Sequence, residues 1–280
     1  MRSFEVELKN EGYKVQGGKL SCTIMTSVHD MENPEWRRPA LVVVPGGGYG
    51  FVSIREGDPI AAAFLAKGYQ VFVLTYLIST DGEGVRYPEQ LLELASAVDY
   101  VKKNAKEFFV NPEEVFVVGF SAGGHLTANL SVEWQNMQEH TDMVLDCKPK
   151  AVGLSYPVIT CKGPAHLGSY ENLLQSYSAQ EKAVLQEKLC LNERVSDQTP
   201  PTFIWTTADD EIVPARNSLL HALALADQGI AYELHVYPTG SHGAATCDFD
   251  INYPKPYLRK NSVWINDCAD FFRALCKEAF

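Results

Sequence analysis

Short hydrophobic runs recur along the chain, and amphipathic or polar stretches separate them. Most of these runs are continuous and rich in β-branched residues, which is typical of strands buried on both faces of a parallel sheet. They cover residues 41–44, 71–74, 115–118, 151–155, 202–207 and 231–237. Residues 4–8 and 19–26 instead alternate between apolar and polar side chains, which predicts two antiparallel strands at the sheet edge.

Helical patterns lie between the predicted strands. The clearest is 88–104, where Leu91, Leu92, Ala95, Val98 and Val101 share one face. The others cover residues 59–67, 122–132, 214–228 and 262–276. Strands that alternate with helices are usually parallel and joined by right-handed crossovers. We therefore expect an α/β fold with a mostly parallel central sheet and helices on both faces.

The segment 156–201 interrupts this alternation. It has little strand signal, several aromatic residues and one amphipathic helix around 179–191. An insertion of this length between two core strands usually forms a cap or specificity lobe. At 280 residues, with 46% hydrophobic residues, the chain can bury one large core. We therefore expect a single domain, 1–280, that carries a small cap insert.

Charge and cysteine content exclude several classes of protein. The formal net charge of −11 argues against a nucleic-acid or an anionic membrane partner. No apolar leader or membrane-spanning stretch is visible, and the seven cysteines never form a Cys-x-x-Cys pair. The expectation is a cytoplasmic protein with reduced thiols and no structural metal. These observations leave homo-oligomerisation open.

The strongest chemical signal is the motif Gly119-Phe-Ser121-Ala-Gly123, between a predicted strand and a predicted helix. A serine on such a sharp strand-to-helix turn projects its hydroxyl at the carboxyl edge of the sheet. The turn also directs the Ala122 N–H and the positive end of the helix toward a developing negative charge. A glycine-rich turn that merely holds a serine is the plainer interpretation, but the flanking elements favour a nucleophile elbow.

A second glycine-rich loop, Pro45-Gly-Gly-Gly-Tyr49-Gly50, follows the strand at 41–44. Glycines let backbone N–H groups approach a substrate oxygen without a Cβ in the way. A tight turn would also explain them. Beside a nucleophilic serine, we expect an oxyanion hole formed by Gly47, Gly48 and Ala122.

A nucleophilic serine needs a base, which in this topology comes last along the chain. His242 lies just after the final strand and is the predicted base. His235 lies inside that strand, His221 within a helix, and His125 on the elbow helix, where a structural role is favoured.

The orienting acid should follow the strand at 202–207, where Asp209, Asp210 and Glu211 stand together. Placement favours Asp210, with Asp209 next and Glu211 third. Helix capping or solvation could explain each carboxylate instead.

Several motifs together resemble the α/β-hydrolase superfamily, and more narrowly the BD-FAE-like, acetyl-xylan esterase-related carbohydrate esterases. They are Pro45-Gly-Gly-Gly-Tyr49, Ser53-Ile-Arg-Glu56, Gly119-Phe-Ser-Ala-Gly-Gly-His125, Leu154-Ser-Tyr-Pro-Val-Ile159, Ala165-His-Leu-Gly-Ser-Tyr-Glu-Asn-Leu-Leu174, Thr207-Ala-Asp-Asp-Glu-Ile-Val-Pro214 and Gly240-Ser-His-Gly243. The resemblance implies an α/β-hydrolase fold and again selects Asp210 as the acid. Many relatives have a histidine where this chain has Pro45.

The resemblance also implies a serine esterase that acts on short acyl, mainly acetyl, esters of oligosaccharides or other small molecules, without a cofactor. We expect Tyr49, Tyr156, His166 and Tyr170 to contact the substrate, because polar aromatic side chains suit sugar rings. One alternative is a peptidase of the prolyl-oligopeptidase type, although 280 residues leave no room for a propeller. A generic carboxylesterase or lipase and a catalytically silent binding protein are the others.

Overall fold

The structure is a computed structural model and describes residues 1–26, 37–81, 86–163, 165–249 and 251–277. Its centre is an eight-stranded sheet with strand order β1-β2-β4-β3-β5-β6-β7-β8. The strands are β1 (Arg2–Glu7), β2 (Lys19–Ile24), β3 (Arg38–Val44), β4 (Gln70–Thr75), β5 (Val110–Phe120), β6 (Val152–Ser155), β7 (Thr202–Thr207) and β8 (Tyr232–Tyr237).

Strand directions confirm the predicted α/β architecture. Strands β1 and β2 pair antiparallel with each other, and β2 pairs antiparallel with β4. All other neighbouring pairs are parallel. One difference is that β5 begins at Val110, earlier than predicted, with a register shift against β3. Pro112 lies in this irregular part, where a missing ladder donor is tolerated.

Helices cover both faces of the sheet. They are α1 (Asp58–Leu65), α2 (Glu89–Lys103), α3 (Ala122–Glu133), α4 (Leu167–Leu173), α5 (Ala179–Lys188), α6 (Arg216–Asp227), α7 (Leu258–Asn261) and α8 (Trp264–Arg273). Strand β3 shows how the two cores form, because successive side chains point to opposite faces. Val42 and Val44 pack in one core, with Leu91 of α2, whereas Leu41 packs in the other, with Trp264 of α8.

The predicted helices are present, with two differences. The last pattern, 262–276, corresponds to α8 alone, and the four-residue helix α7 that precedes it was not predicted. In the insert 156–201, α5 confirms the predicted helix, but α4 was not predicted. The seven residues of α4 are too few for an apolar period to be visible in the sequence.

No helix in the described part of the chain is both long and apolar enough to cross a membrane.

The carboxyl ends of the central strands are aligned by their register. Val44 at the end of β3 is opposite Gly119 of β5, and Phe120 is opposite Ser155 of β6. Further along the sheet, Thr207 of β7 is opposite Tyr237 of β8. The loops that follow β3, β5, β7 and β8 therefore leave the sheet along the same edge, and these loops carry the predicted site residues.

Candidate active site

Ser121 has the strained backbone that a nucleophile elbow requires. Its φ is 53° and its ψ is −117°, and its N–H donates to the Ser155 carbonyl at 3.0 Å. The elbow also needs small residues. A Cβ on Gly123 would lie 2.2 Å from the carbonyl oxygen of Val44 and 2.3 Å from that of Pro45. Only glycine at position 123 therefore lets helix α3 pack this closely against the end of β3.

The serine hydroxyl begins a chain of hydrogen bonds that ends on a buried carboxylate. Ser121 Oγ lies 2.8 Å from His242 Nε2, and His242 Nδ1 lies 2.7 Å from Asp210 Oδ2. The other carboxylate oxygen, Oδ1, accepts the N–H groups of Ile212 and Val213, both at 2.9 Å. Because an ionised carboxylate only accepts, the imidazole proton is on Nδ1, and Nε2 is free to accept the serine proton.

The neighbouring acid and the other histidines hold different positions. Asp209 Oδ1 accepts the Gly240 N–H at 2.8 Å and so braces the loop that carries His242. His125 is fully buried; its Nδ1 lies 2.8 Å from the Tyr49 hydroxyl and its Nε2 3.3 Å from a main-chain carbonyl. His221 is also fully buried, within α6. None of these three side chains is part of the Ser121–His242–Asp210 chain; each is held by contacts elsewhere in the fold.

The carbonyl groups of Gly46, Gly47 and Gly48, in the glycine loop after β3, are all hydrogen-bonded within the protein. The Gly46 carbonyl accepts the Ser53 N–H at 3.0 Å, and the Gly47 carbonyl accepts two N–H groups of the same loop at 3.0 and 3.2 Å. The Gly48 carbonyl accepts from the Asn172 side chain of α4 at 2.8 Å. Gly47 and Gly48 have φ values of 122° and 62°, which are accessible to glycine with little strain.

A cavity of about 480 Å³ opens beside Ser121 and His242. His166, the only one of the four predicted substrate contacts among its lining residues, lies close to Gly48, and its Nδ1 is 2.8 Å from Ser169 Oγ. Partial burial and the nearby His242 lower the pKa of His166, so its ring is neutral near pH 7. The lining comprises Gly47, Gly48, Gly50, Phe51, Ser53, Arg55, Glu56, Ser121, His166, Gly168, Asn172, Ile212, His242 and Gly243.

The other three predicted contacts are corrected by the structure. The side chains of Tyr49, Tyr156 and Tyr170 are buried, and none lines the cavity. The Tyr49 hydroxyl bonds to His125, that of Tyr156 donates to Glu56 at 2.8 Å, and that of Tyr170 lies 3.3 Å from two main-chain carbonyls. A buried hydroxyl must find a partner inside the protein, and these three do so without their side chains lining the cavity.

Two residues of the site were not predicted from the sequence. Asn172 holds the glycine loop, and Glu56 places a buried carboxylate on the cavity wall. Burial raises the pKa of Glu56, opposed by hydrogen bonds from Tyr156 and the Gly46 N–H. Both lie within motifs that carry the resemblance, Ser53–Glu56 and Ala165–Leu174, which is the only signal in the sequence that could have identified them.

Comparison with known proteins gives the family. The BD-FAE family model matches residues 28–225, which is more than half of the chain. The chain belongs to the BD-FAE family. Over 76% of its length it is 33% identical to an endo-1,4-beta-xylanase B of Butyrivibrio fibrisolvens. It is 30% identical, again over 76% of its length, to an acetylxylan esterase of Xylanibacter ruminicola. These matches span only 33% and 42% of the two relatives, respectively.

A solved structure of similar size supports the same fold for this BD-FAE member. The acetyl ester-xyloside bifunctional hydrolase of Caldicellulosiruptor lactoaceticus is 30% identical, with a TM-score of 0.81. The match covers 98% of this chain and 97% of that one. Together with the mostly parallel sheet, this likeness shows an α/β-hydrolase fold.

Proposed function

We propose that this BD-FAE protein is a serine esterase that removes short acyl groups, mainly acetyl, from carbohydrates. The observation that carries the proposal is the hydrogen-bond chain from Ser121 through His242 to Asp210, at the wall of an accessible cavity. A serine next to a base that is itself oriented by a carboxylate is the arrangement that activates a hydroxyl for acyl transfer.

In the proposed reaction His242 takes the Ser121 proton while Oγ attacks the ester carbonyl. Asp210 holds the imidazole tautomer and stabilises the imidazolium that forms. His242 then protonates the leaving alcohol, and a water molecule hydrolyses the acyl-enzyme by the same route in reverse. No step requires a cofactor.

Charge on the tetrahedral oxygen needs donors that are already in place. The N–H of Ala122 stands at the first turn of α3, whose partial positive charge favours an anion. The carbonyls of Gly46, Gly47 and Gly48 all accept hydrogen bonds within the protein, and Gly47 and Gly48 both line the cavity, so their amides are the candidate donors of this loop. These three N–H groups are the proposed oxyanion hole.

Two observations favour a small acyl group on a sugar. The cavity combines few apolar side chains with His166, Asn172 and Arg55, which can hydrogen-bond to hydroxyl groups. The names of relatives also refer to xylan and acetyl esters. We propose that His166, neutral and fixed by Ser169, contacts a sugar hydroxyl.

The test is hydrolysis of nitrophenyl esters of rising chain length beside acetylated xylo-oligosaccharides, for the unmodified protein, Ser121→Ala and His166→Ala. We expect acetyl esters to have a higher kcat/KM than octanoyl esters, and Ser121→Ala to abolish turnover. His166→Ala should harm the acetylated sugar more than the nitrophenyl acetate, because binding energy from a remote group is lost only where that group exists.

Three outcomes would contradict parts of the proposal. If Ser121→Ala retains turnover, Ser121 is not the nucleophile. A preference for long acyl chains would contradict the carbohydrate assignment. So would an equal loss of kcat/KM on the acetylated sugar and on nitrophenyl acetate in His166→Ala. Cleavage of peptide amides in place of esters would favour the peptidase alternative.

A further inference from the structure

Glu56 is a buried carboxylate beside the proposed nucleophile that takes no part in the Ser121–His242–Asp210 chain. It ends the 3₁₀ turn Ile54–Glu56, and its residue is only 3% exposed. Burying a carboxylate costs free energy unless it is hydrogen-bonded, so the groups that bond to Glu56 indicate its role. One of its oxygens, Oε2, accepts the Gly46 N–H at 2.8 Å, at the start of the glycine loop.

The second oxygen connects Glu56 to the loop that carries His242. The Tyr156 hydroxyl lies 2.8 Å from Glu56 Oε1 and accepts the Ala245 N–H at 3.0 Å. Since an N–H only donates, the tyrosine oxygen is the acceptor there, and its own proton goes to Glu56. Ala245 has a φ of 50°, an unfavourable value for alanine, so the loop needs such a partner to hold its shape.

The carboxylate also lies against the reacting groups. A Cβ on Gly46 would be 2.9 Å from both Glu56 Oε2 and the Cβ of Ser121, and one on Gly243 would be 3.9 Å from Glu56 Oε1. The Tyr156 ring packs edge-on against the His242 ring, with centroids 4.9 Å apart. One side chain therefore supports the loops that hold the oxyanion donors and the base.

We propose that Glu56 is a positioning residue for the esterase reaction: with Tyr156 it ties the glycine loop to the His242 loop and fixes the spacing between the oxyanion donors and the Ser121–His242 pair. The inference rests on the proposed function. It predicts a loss of transition-state stabilisation with little loss of substrate binding, because Glu56 acts through the groups that it holds.

The experiment measures kcat and KM for nitrophenyl acetate in Glu56→Gln, Tyr156→Phe and the double variant. A glutamine can accept from Gly46 but offers its NH₂ group to the tyrosine, whose proton then loses its acceptor. We expect kcat to fall on the order of ten- to a hundredfold in each single variant, as for small misplacements of catalytic groups. The double variant should lose no more than the worse single one, since both break the same bridge.

Glu114→Gln is the matched control. Glu114 is also a buried carboxylate that accepts a main-chain N–H, that of Lys277 at 3.0 Å, but it lies at the start of β5, away from the cavity. Its substitution should leave kcat and KM unchanged. Thermal unfolding of all variants shows which are folded, and Tyr156→Phe tests the same bridge if Glu56→Gln does not fold.

Inhibition by a small alkyl boronic acid distinguishes a positioning role from a merely structural one. The inhibition constant would not change if Glu56 only stabilised the fold. The adduct of the boronic acid with a nucleophilic serine imitates the tetrahedral anion beside a charged imidazole. In Glu56→Gln the inhibition constant should rise by about the factor by which kcat/KM falls, with KM nearly unchanged. Unchanged kcat in folded Glu56→Gln, or a rise in KM alone, would overturn the proposal.

A fluorophosphonate that labels nucleophilic serines separates this inference from the function on which it rests. Labelling of the unmodified protein, abolished by Ser121→Ala and slowed in Glu56→Gln, supports both. Labelling at an equal rate in the unmodified protein and Glu56→Gln contradicts the role of Glu56 alone. If the unmodified protein is neither labelled nor hydrolyses any ester, the proposed function itself is contradicted.

Discussion

Two adjacent aspartates show how one position along the chain changes the role of a side chain. One carboxylate oxygen of Asp210 accepts two main-chain N–H groups, and the other lies against His242 Nδ1. Asp209 instead accepts the Gly240 N–H. The carboxylates are chemically identical and consecutive in sequence. Only the direction in which the loop after β7 presents each one separates the proposed orienting acid from a side chain that braces the loop.

We expect Asp210→Asn to reduce kcat on the order of 10⁴-fold, as loss of the orienting carboxylate does in other serine hydrolases. Asparagine at position 210 would keep accepting from the two N–H groups with its oxygen and present an NH₂ group to His242 Nδ1. The imidazole would then be held in the wrong tautomer. The measurement is turnover of nitrophenyl acetate.

Asp209→Asn is the control for that prediction. The amide oxygen of asparagine can still accept the Gly240 N–H, so we expect activity close to that of the unmodified protein. A larger loss in Asp209→Asn than in Asp210→Asn would move the orienting acid by one residue.

Some site residues could be predicted at this scale and others could not. Ser121 and His242 follow from their local sequence, because glycine motifs and strand ends determine where the backbone delivers them. The direction of Tyr49 and Tyr156 depends on partners distant in sequence, such as His125 and Glu56. No local pattern encodes whether an aromatic side chain faces a cavity or packs behind it.

At the scale of elements, the hydrophobic pattern predicted all eight strands of the described sheet, β1 and β2 from alternating apolar and polar residues and the others from continuous apolar runs. The hydrophobic pattern did not predict elements whose position depends on hydrogen bonds more than on buried apolar surface. Helix α4 is short, and its contribution is the Asn172 contact to Gly48 rather than a broad apolar face. Helix α5 was predicted, but it buries none of its residues, and its N-terminal boundary follows from the capping box formed by Ser178 and Glu181.

The packing of α3 against β3 gives a prediction about stability. Gly123→Ala would place a methyl group 2.2 to 2.3 Å from two backbone carbonyl oxygens, which cannot move as a flexible side chain can. We expect the free energy of unfolding to fall by at least about 3 kcal/mol, at the upper end for overpacking. Urea denaturation followed by tryptophan fluorescence measures this loss.

Gly12→Ala is the matched comparison, because Gly12 has a φ of 88° and nothing within 4 Å of an added Cβ. Only the left-handed backbone is penalised there, at about 1 to 2 kcal/mol. If Gly123→Ala destabilises the protein no more than Gly12→Ala does, the close contact between helix and strand does not constrain position 123.

At the scale of the whole molecule, the candidate site is built from the ends of four strands. The glycine loop follows β3, Ser121 follows β5, Asp210 follows β7 and His242 follows β8. The distances among these groups are therefore set by the register of the sheet and by the two cores that pack its faces against the helices. Conditions that loosen the fold should also separate the proposed catalytic groups.

Acid is one such condition, because two histidines are buried where they cannot be charged without cost. Burial lowers the pKa of both His125 and His221 to about 4. In the unfolded chain an imidazole titrates near pH 6.5. Between about pH 6.5 and 4 the unfolded state therefore binds more protons, and the stabilisation present above pH 6.5 is lost as the pH falls. Glu93 acts in the opposite direction, since burial raises its pKa to about 8.

The buried histidines and Glu93 change the unfolding free energy in opposite directions as the pH falls. One curve of stability against pH therefore cannot separate the contribution of a histidine, but comparison with a variant can. His221 has no hydrogen-bond partner for either ring nitrogen among the described residues, so His221→Leu removes the titration without orphaning another polar group. Between pH 7.5 and pH 5 we expect the unmodified protein to lose about 2 kcal/mol more unfolding free energy than the variant does. Urea denaturation at the two pH values measures the difference, and an equal loss in both proteins would show that His221 does not stay neutral in the fold.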